Sequence, residues 1–230
     1  MPIDSTIPAD FNGIARLFPL PNVVFFPKAV LPLHIFEPRY RQMTADSLAG
    51  DRLIAMALLQ PGWEADYEGR PAMHEMACVG KIMADQRLED GRYTLLLHGL
   101  SRARILGEVE SHRLYRSARV ELLSDSLDHS PASILEFQEQ LRRVLPRWLA
   151  ALGLVAEPFW TLIESGLPTG NLADIMTFAL PLEVEFKQQM LEELDCQRRA
   201  EKLVAHLETH TPPQKSAGPE RHFPPDFSPN

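Results

Sequence analysis

Cysteine is scarce. Cys78 and Cys196 are the only two in 230 residues, too far apart for a CxxC pair and too few for a disulfide framework, which suits a reducing compartment and marks both as small buried apolar residues. Long apolar runs are missing as well: no stretch of about 18 uncharged apolar residues occurs. The first dozen residues are polar and acidic rather than a basic region leading into an apolar one. A cytoplasmic protein that neither crosses a membrane nor is exported is therefore predicted. The eight histidines show no HExxH or paired-ligand spacing, which leaves a metal short of its usual ligand set. Ser101, Ser117 and Ser165 lack any GxSxG or SxxK context, and there is no GxxxxGK[ST] loop to cradle a nucleotide. Neither cofactor nor catalytic constellation is predicted.

What charge there is lies unevenly. The net charge is −8 overall; residues 13–123 carry 14 Lys and Arg against 13 Asp and Glu, whereas 124–230 carry 9 against 16. A phosphate backbone would be repelled by the second half, and the first lacks the basic excess of a nucleic-acid binder.

With 45% hydrophobic residues the chain can bury a sizeable core. Its first 120 or so residues read as short strands punctuated by Pro19, Pro21, Pro27 and Pro32, which confine strands to short or edge pieces. Glu37-Pro38 opens one helix that stops near Gly50. Arg52 to Leu59 is an apolar run of strand length, read as buried on both faces. Residues 60–75 form a loop carrying Trp63 and Tyr67. Two strands, 77–88 and 93–98, meet across Asp90-Gly91, which supplies the positive φ angles of a tight hairpin, and further strands are expected over 102–109 and 114–122, suggesting a barrel or folded sheet. From Ser130 the period changes to i, i+3, i+4, i+7 through Ile134, Leu135, Phe137, Leu141, Val144 and Leu145, an amphipathic helix that Pro146 ends or kinks. Helices over 158–165, 171–180 and 183–194 follow, then a last one capped by Asp195. Six prolines in the twenty residues after His210 predict an unfolded tail.

The stretch Leu17-Phe-Pro-Leu-Pro-Asn-Val-Val-Phe-Phe-Pro-Lys-Ala-Val-Leu-Pro-Leu-His-Ile-Phe-Glu-Pro-Arg-Tyr-Arg41 resembles the opening signature of the Lon N-terminal domain family. The likeness continues in Cys78-Val-Gly-Lys-Ile82, in Leu97-His-Gly-Leu-Ser-Arg-Ala-Arg-Ile105, and in Leu180-Pro-Leu-Glu183, Leu191-Glu-Glu-Leu-Asp195 and Arg199. One departure concerns a turn: the family commonly has glycine after Phe-Pro, where this chain has Lys28-Ala29. The resemblance implies an α+β fold, a PUA-like β pseudobarrel with one helix followed by a C-terminal helical bundle. It implies an extension over 1–12, a β-rich subdomain over 13–123, a bundle over 130–210 and a disordered tail over 211–230. It further implies a free-standing, non-catalytic module, without ATPase or protease domains, that binds unfolded or apolar polypeptide segments, with a protease as a candidate partner.

Each candidate site residue has a plainer reading. Glu37, Arg39 and Tyr40 cluster at a strand-to-helix corner, where local ties explain them. His34 and His98 sit in strands with no nucleophile beside them. Trp63 and Tyr67 are the nominated peptide contacts, set against a reading in which they fold back over the barrel mouth. Arg102, Arg104, Arg113, Arg116 and Arg119 would support RNA binding only if they shared a face. A small ligand or an enzyme site in the crevice between barrel and bundle is the remaining alternative. Oligomeric state is not legible.

Overall fold

The computed structural model describes residues 6–67, 69–126 and 131–213. The proline-rich tail beyond Pro213, the first five residues and Ser130 lie outside them. Six strands, β1 (Ile14–Leu20), β2 (Val30–Ile35), β3 (Leu53–Leu59), β4 (Met73–Arg87), β5 (Tyr93–Val109) and β6 (Ser117–Leu123), form one sheet in the order β2-β5-β4-β3-β1-β6. Because β6 also pairs with β5, the sheet closes on itself. All its pairings are antiparallel except β1 on β3, and β2 stands outside the closed ring as an extra strand on β5. This is the pseudobarrel expected.

Alternation along each strand divides the apolar side chains between two cores, since successive residues of a strand point to opposite faces. Ala15, Leu17, Leu53, Ala55, Val79 and Ala118 fill one small cluster. Phe18, Leu20, Ile54, Met56, Leu58 and Cys78 point the other way, into a larger cluster shared with the helices. Strand β3 is consequently buried at every position, as its unbroken apolar run predicted. The hairpin between β4 and β5 turns at Gly91, φ 80°.

Two expectations about the strands need amending. Residues 93–98 and 102–109 are one strand, because at Gly99-Leu100-Ser101 the register shifts by a single residue against Val79-Gly80. That is a bulge, which bends a strand without ending it. The last strand begins at Ser117 rather than Leu114.

Helix α1 (Pro38–Leu48) starts with proline in its first turn and packs on β1 and β2. The remaining helices are α2 (Pro131–Leu152), α3 (Glu157–Glu164), α4 (Thr169–Ala179), α5 (Val184–Glu192) and α6 (Cys196–Thr209). Helix α2 runs through Pro146 instead of ending there. Pro146 and Arg142, whose carbonyl loses its N–H partner to the proline, are both on the exposed face, while Leu145, Trp148 and Leu149 stay buried. Leu135 falls off the stripe and is 63% exposed. Asp195 caps α6 as expected, its carboxylate accepting from the Arg198 N–H at 3.0 Å.

Barrel and bundle are joined by buried charge. Arg102, at the centre of β5, donates through both terminal nitrogens to Asp174 of α4 at 2.8 Å each, and through Nε to the Leu191 carbonyl at 2.9 Å. Arg199 of α6 approaches the same carboxylate at 2.9 Å and also pairs with Asp125, which follows β6 and lies 3.2 Å from Arg102. Arg102, Asp174 and Arg199 are at most 1% exposed. Gly170 makes room for this: a Cβ there would stand 2.5 Å from the Cys196 sulfur and 2.7 Å from Arg199 Nη2. Burial raises the Asp174 carboxyl above the ordinary aspartate range, and the two guanidiniums oppose that rise.

Two outcomes follow from these local arrangements. Lys28 adopts φ 66°, so the turn keeps the left-handed conformation although the glycine is gone; Lys28→Gly should stabilise the protein by about 1 kcal/mol in urea unfolding, given a penalty of roughly 1–2 kcal/mol for a side chain there partly offset by glycine's chain entropy. Asp174→Asn leaves two guanidiniums without their buried carboxylate and should cost about 3–5 kcal/mol in the same assay. A loss below about 1 kcal/mol would mean that the joint does not hold the bundle on the barrel.

Candidate functional site

The loop joining β3 to β4 turns at Gly62 into a single 3₁₀ turn, Trp63–Asp66, and is closed at its base by the Gln60 N–H donating to the Ala72 carbonyl at 2.9 Å. Trp63 and Tyr67 are both half-buried. Their rings meet edge to face at 5.5 Å. The Tyr67 hydroxyl donates to Glu37 Oε1 at 3.0 Å while Arg39 holds the other carboxylate oxygen and donates to the Tyr67 carbonyl at 3.3 Å. The Arg39 guanidinium sits 4.8 Å from the ring centres of both Tyr40 and Tyr67. Tyr40 in turn donates to the Pro19 carbonyl at 3.3 Å. The Glu37–Arg39–Tyr40 cluster is thus a set of ties, and Tyr67 is its fourth member. Burial, with the Glu37 carboxylate adding to it, pushes the Tyr67 phenol up to about 12, so it remains a neutral donor.

Beside Tyr67 lies a cleft of about 140 Å³ floored by Pro19 and Leu59 and walled by arginines and tyrosines. Tyr40 lines both this cleft and a narrower slot of about 50 Å³, where Phe18 and Leu20 face residues 32–37. Pro32, Leu33 and His34 carry the surface on into a wide cup of about 490 Å³, whose far wall is Ala84, Gln86 and Leu96 of β4 and β5. Asp85, the acid on its rim, is paired with Arg52 at 2.6 Å. Val30 and Leu96, diagonal neighbours on this sheet face, are 51% and 41% exposed.

Strand β2 runs along this track with one edge open, no described strand pairing with it there. The Gly99 N–H donates to the Ala29 carbonyl, and alternation from that pair along the register turns the main-chain groups of Leu31, Leu33 and Ile35 toward β5. Those of Val30 and His34 face outward. Pro32 between them has no N–H to offer, the usual place for proline in a sheet. Sequence reasoning nominated the loop aromatics and missed this edge, although the prolines had marked the strand as an edge piece and the Val-Leu-Pro-Leu-His alternation had the period of a half-exposed one.

The five arginines do not share a face. Arg102 is buried in the joint, Arg104 pairs with Glu121 at 3.1 Å, Arg116 is held by Glu108 and Arg113 by Asp46. Among the described residues no group of three or more His, Cys, Asp or Glu is placed to hold a metal ion, and no helix is long and apolar enough to cross a membrane.

Residues 14–209 match the family model described as the ATP-dependent protease La (LON) substrate-binding domain. The chain belongs to this family. Lon protease 2 of Myxococcus xanthus is 26% identical over 198 residues, covering 86% of the chain and 24% of the relative; the Lon protease of Geobacter metallireducens is 30% identical, with 84% and 24% covered. The chain therefore spans about a quarter of the length of these curated relatives. Among solved structures, the Lon N-terminal domain protein from Xanthomonas campestris superposes with a TM-score of 0.61 at 24% identity, covering 84% of this chain and 97% of that one. The N-terminal domain of Mycobacterium avium complex Lon protease gives 0.64 at 18%, covering 86% and 99%. The fold is shared with both.

The family's opening signature, residues 17–41, builds β1, the turn at Lys28, β2 and the start of α1, which together frame the slot; Arg199, also within the likeness, closes the ionic joint. Tyr67→Phe removes the tie to Glu37. Amide exchange in residues 60–72 should then quicken by about two- to ten-fold, the equivalent of one modest hydrogen bond, with β3 and β4 unchanged. Unaltered exchange in the loop would show that the phenol does not hold it.

Proposed function

We propose that this chain is a non-catalytic polypeptide-binding module that takes an extended, apolar segment along the open edge of β2, serving proteolysis or protein quality control as a presenting or adaptor domain in the cytoplasm. The observation that carries the reading is the unpaired β2 edge set between an apolar slot and an apolar cup. Main-chain groups of Val30 and His34 supply hydrogen bonds that any sequence can answer, and pockets on either side take alternate side chains, the manner in which a strand adds to a sheet. Trp63 and Tyr67 stand at the cleft end of the same track as its aromatic flank. Membership of a substrate-binding family supports this assignment.

A hydrolytic alternative finds little support in the thiols. Burial pushes Cys78 far above the ordinary thiol range and Cys196 up to about 11, so neither supplies a thiolate nucleophile at neutral pH. The barrel–bundle junction, where a ligand crevice was the rival expectation, is packed with the Arg102–Asp174–Arg199 network.

Leu96→Asp tests the reading, because the side chain is solvent-facing and its loss leaves both cores intact. Fluorescence anisotropy with a labelled, end-blocked apolar decapeptide should show at least about ten-fold weaker binding by this variant, or about 1.4 kcal/mol. Equal affinity in wild type and variant, with amide protection gained somewhere other than β2 and the cup, would sink it.

A further inference from the structure

The cleft beside Tyr67 differs in character from the apolar track that leads to it. Arg39, Arg70, Arg113 and Arg116 line it, and none of its described lining residues is acidic. The carboxylates that hold these arginines are not among the described lining residues. Glu37 takes Arg39, Asp46 takes Arg113, and Glu108 takes Arg116 in a two-point contact. That leaves Arg70 with only the already occupied Glu108, at 3.6 Å, and its side chain 58% exposed. Asp66 takes the Arg70 main-chain N–H and not its side chain, so among the described lining residues Arg70 has the guanidinium with the longest carboxylate contact.

Size and shape narrow the ligand. A volume of about 140 Å³ falls below the roughly 300–1,000 Å³ that encloses a whole small molecule and suits one anionic group on a short stem. The rings of Tyr40, Tyr67 and Tyr115 line it together with Pro19 and Leu59, giving such a stem an apolar wall. Guanidinium groups are planar forks that match a carboxylate at two points. Tyr40 lines both the cleft and the slot beside β2, so the cleft is the neighbour of the surface on which a chain paired with that strand would lie.

We propose that the cleft is a carboxylate-binding site that selects polypeptides presenting an acidic group, as a free C-terminus or an acidic side chain, at the end of the segment held by β2. The proposal rests on the polypeptide-binding reading. Net charge works against it, since a chain of −8 repels anions at long range, so any preference must come from direct contact with the Arg70 guanidinium.

The test uses three labelled peptides of one apolar sequence: amide-capped, with a free C-terminal carboxylate, and amide-capped with glutamate as the last residue. Wild-type protein should bind one or both acidic forms about ten-fold more tightly than the neutral one, the scale of a charge-assisted two-point contact. Which of them gains identifies the source of the carboxylate. Arg70→Gln should abolish that advantage while leaving the affinity for the neutral peptide unchanged, and Leu96→Asp should weaken all three alike. Equal binding of the three by wild type, or an advantage that survives in Arg70→Gln, overturns the carboxylate site and leaves polypeptide binding standing. If none of the three binds, the polypeptide reading falls and the carboxylate site with it. Inorganic phosphate alone, followed by amide shifts around Arg70, then separates the remaining cases: shifts there with no peptide preference identify a site for free anions, which also overturns the proposal.

Discussion

Arg102 is the one side chain on which both halves of the molecule depend. It lies at the centre of β5, inside the sheet, and its charge is answered only by residues from beyond the barrel: Asp174 of α4, Asp125 after β6 and the Leu191 carbonyl at the end of α5. A guanidinium withdrawn from water is costly unless its partners are in place, so the barrel is incomplete without the bundle. Arg199 adds the reciprocal demand, because it too needs Asp174 and Asp125. Two arginines and two aspartates balance in charge, and what they contribute is geometry: few relative placements of barrel and bundle satisfy all four at once.

Around that joint the packing is organised by strands that serve two cores. Ala55 of β3 faces the barrel cluster while Ile54 and Met56 face the helices. A slip of one residue would exchange these sets and put Ile54 or Met56 into the place of Ala55, in a cluster half made of alanine. Rigid strands of this kind leave β2 as the element with an unused edge. The track is thus a by-product of closure: β5 is longer than the barrel needs, and its first half, with the start of the β4 hairpin, projects to make a surface on which β2 and the cup are built.

Much of this architecture was legible in the residues. The β3 run, the Asp90-Gly91 hairpin, the Asp195 cap and the Pro38 helix start each depend on local chemistry and are found where the sequence puts them. What was not legible depends on distance along the chain. Arg102 read as a surface charge because its strand alternates with other arginines, and nothing near it discloses that Asp174, 72 residues away, will bury it. Pro146 read as a breaker because the pattern does not say which face of α2 meets water. For Trp63 and Tyr67 the sequence left open whether the rings project or fold back, because the Glu37 carboxylate that fastens Tyr67 is 30 residues earlier. Lys28 is the reverse case, in which the family resemblance pointed to a glycine-type turn and a residue with a side chain adopts the positive φ.

Strand β5 has a consequence of its own. Its outer half, Tyr93 to Leu97, carries the cup, and its inner half, from Arg102 onward, carries the joint, with the bulge at Leu100 between them. Leu96, solvent-facing on the cup, can change without touching the joint, whereas Leu95 and Leu33 line the same cup and belong to the main core. Exposed surface and ionic joint are thereby carried on different stretches of one continuous backbone.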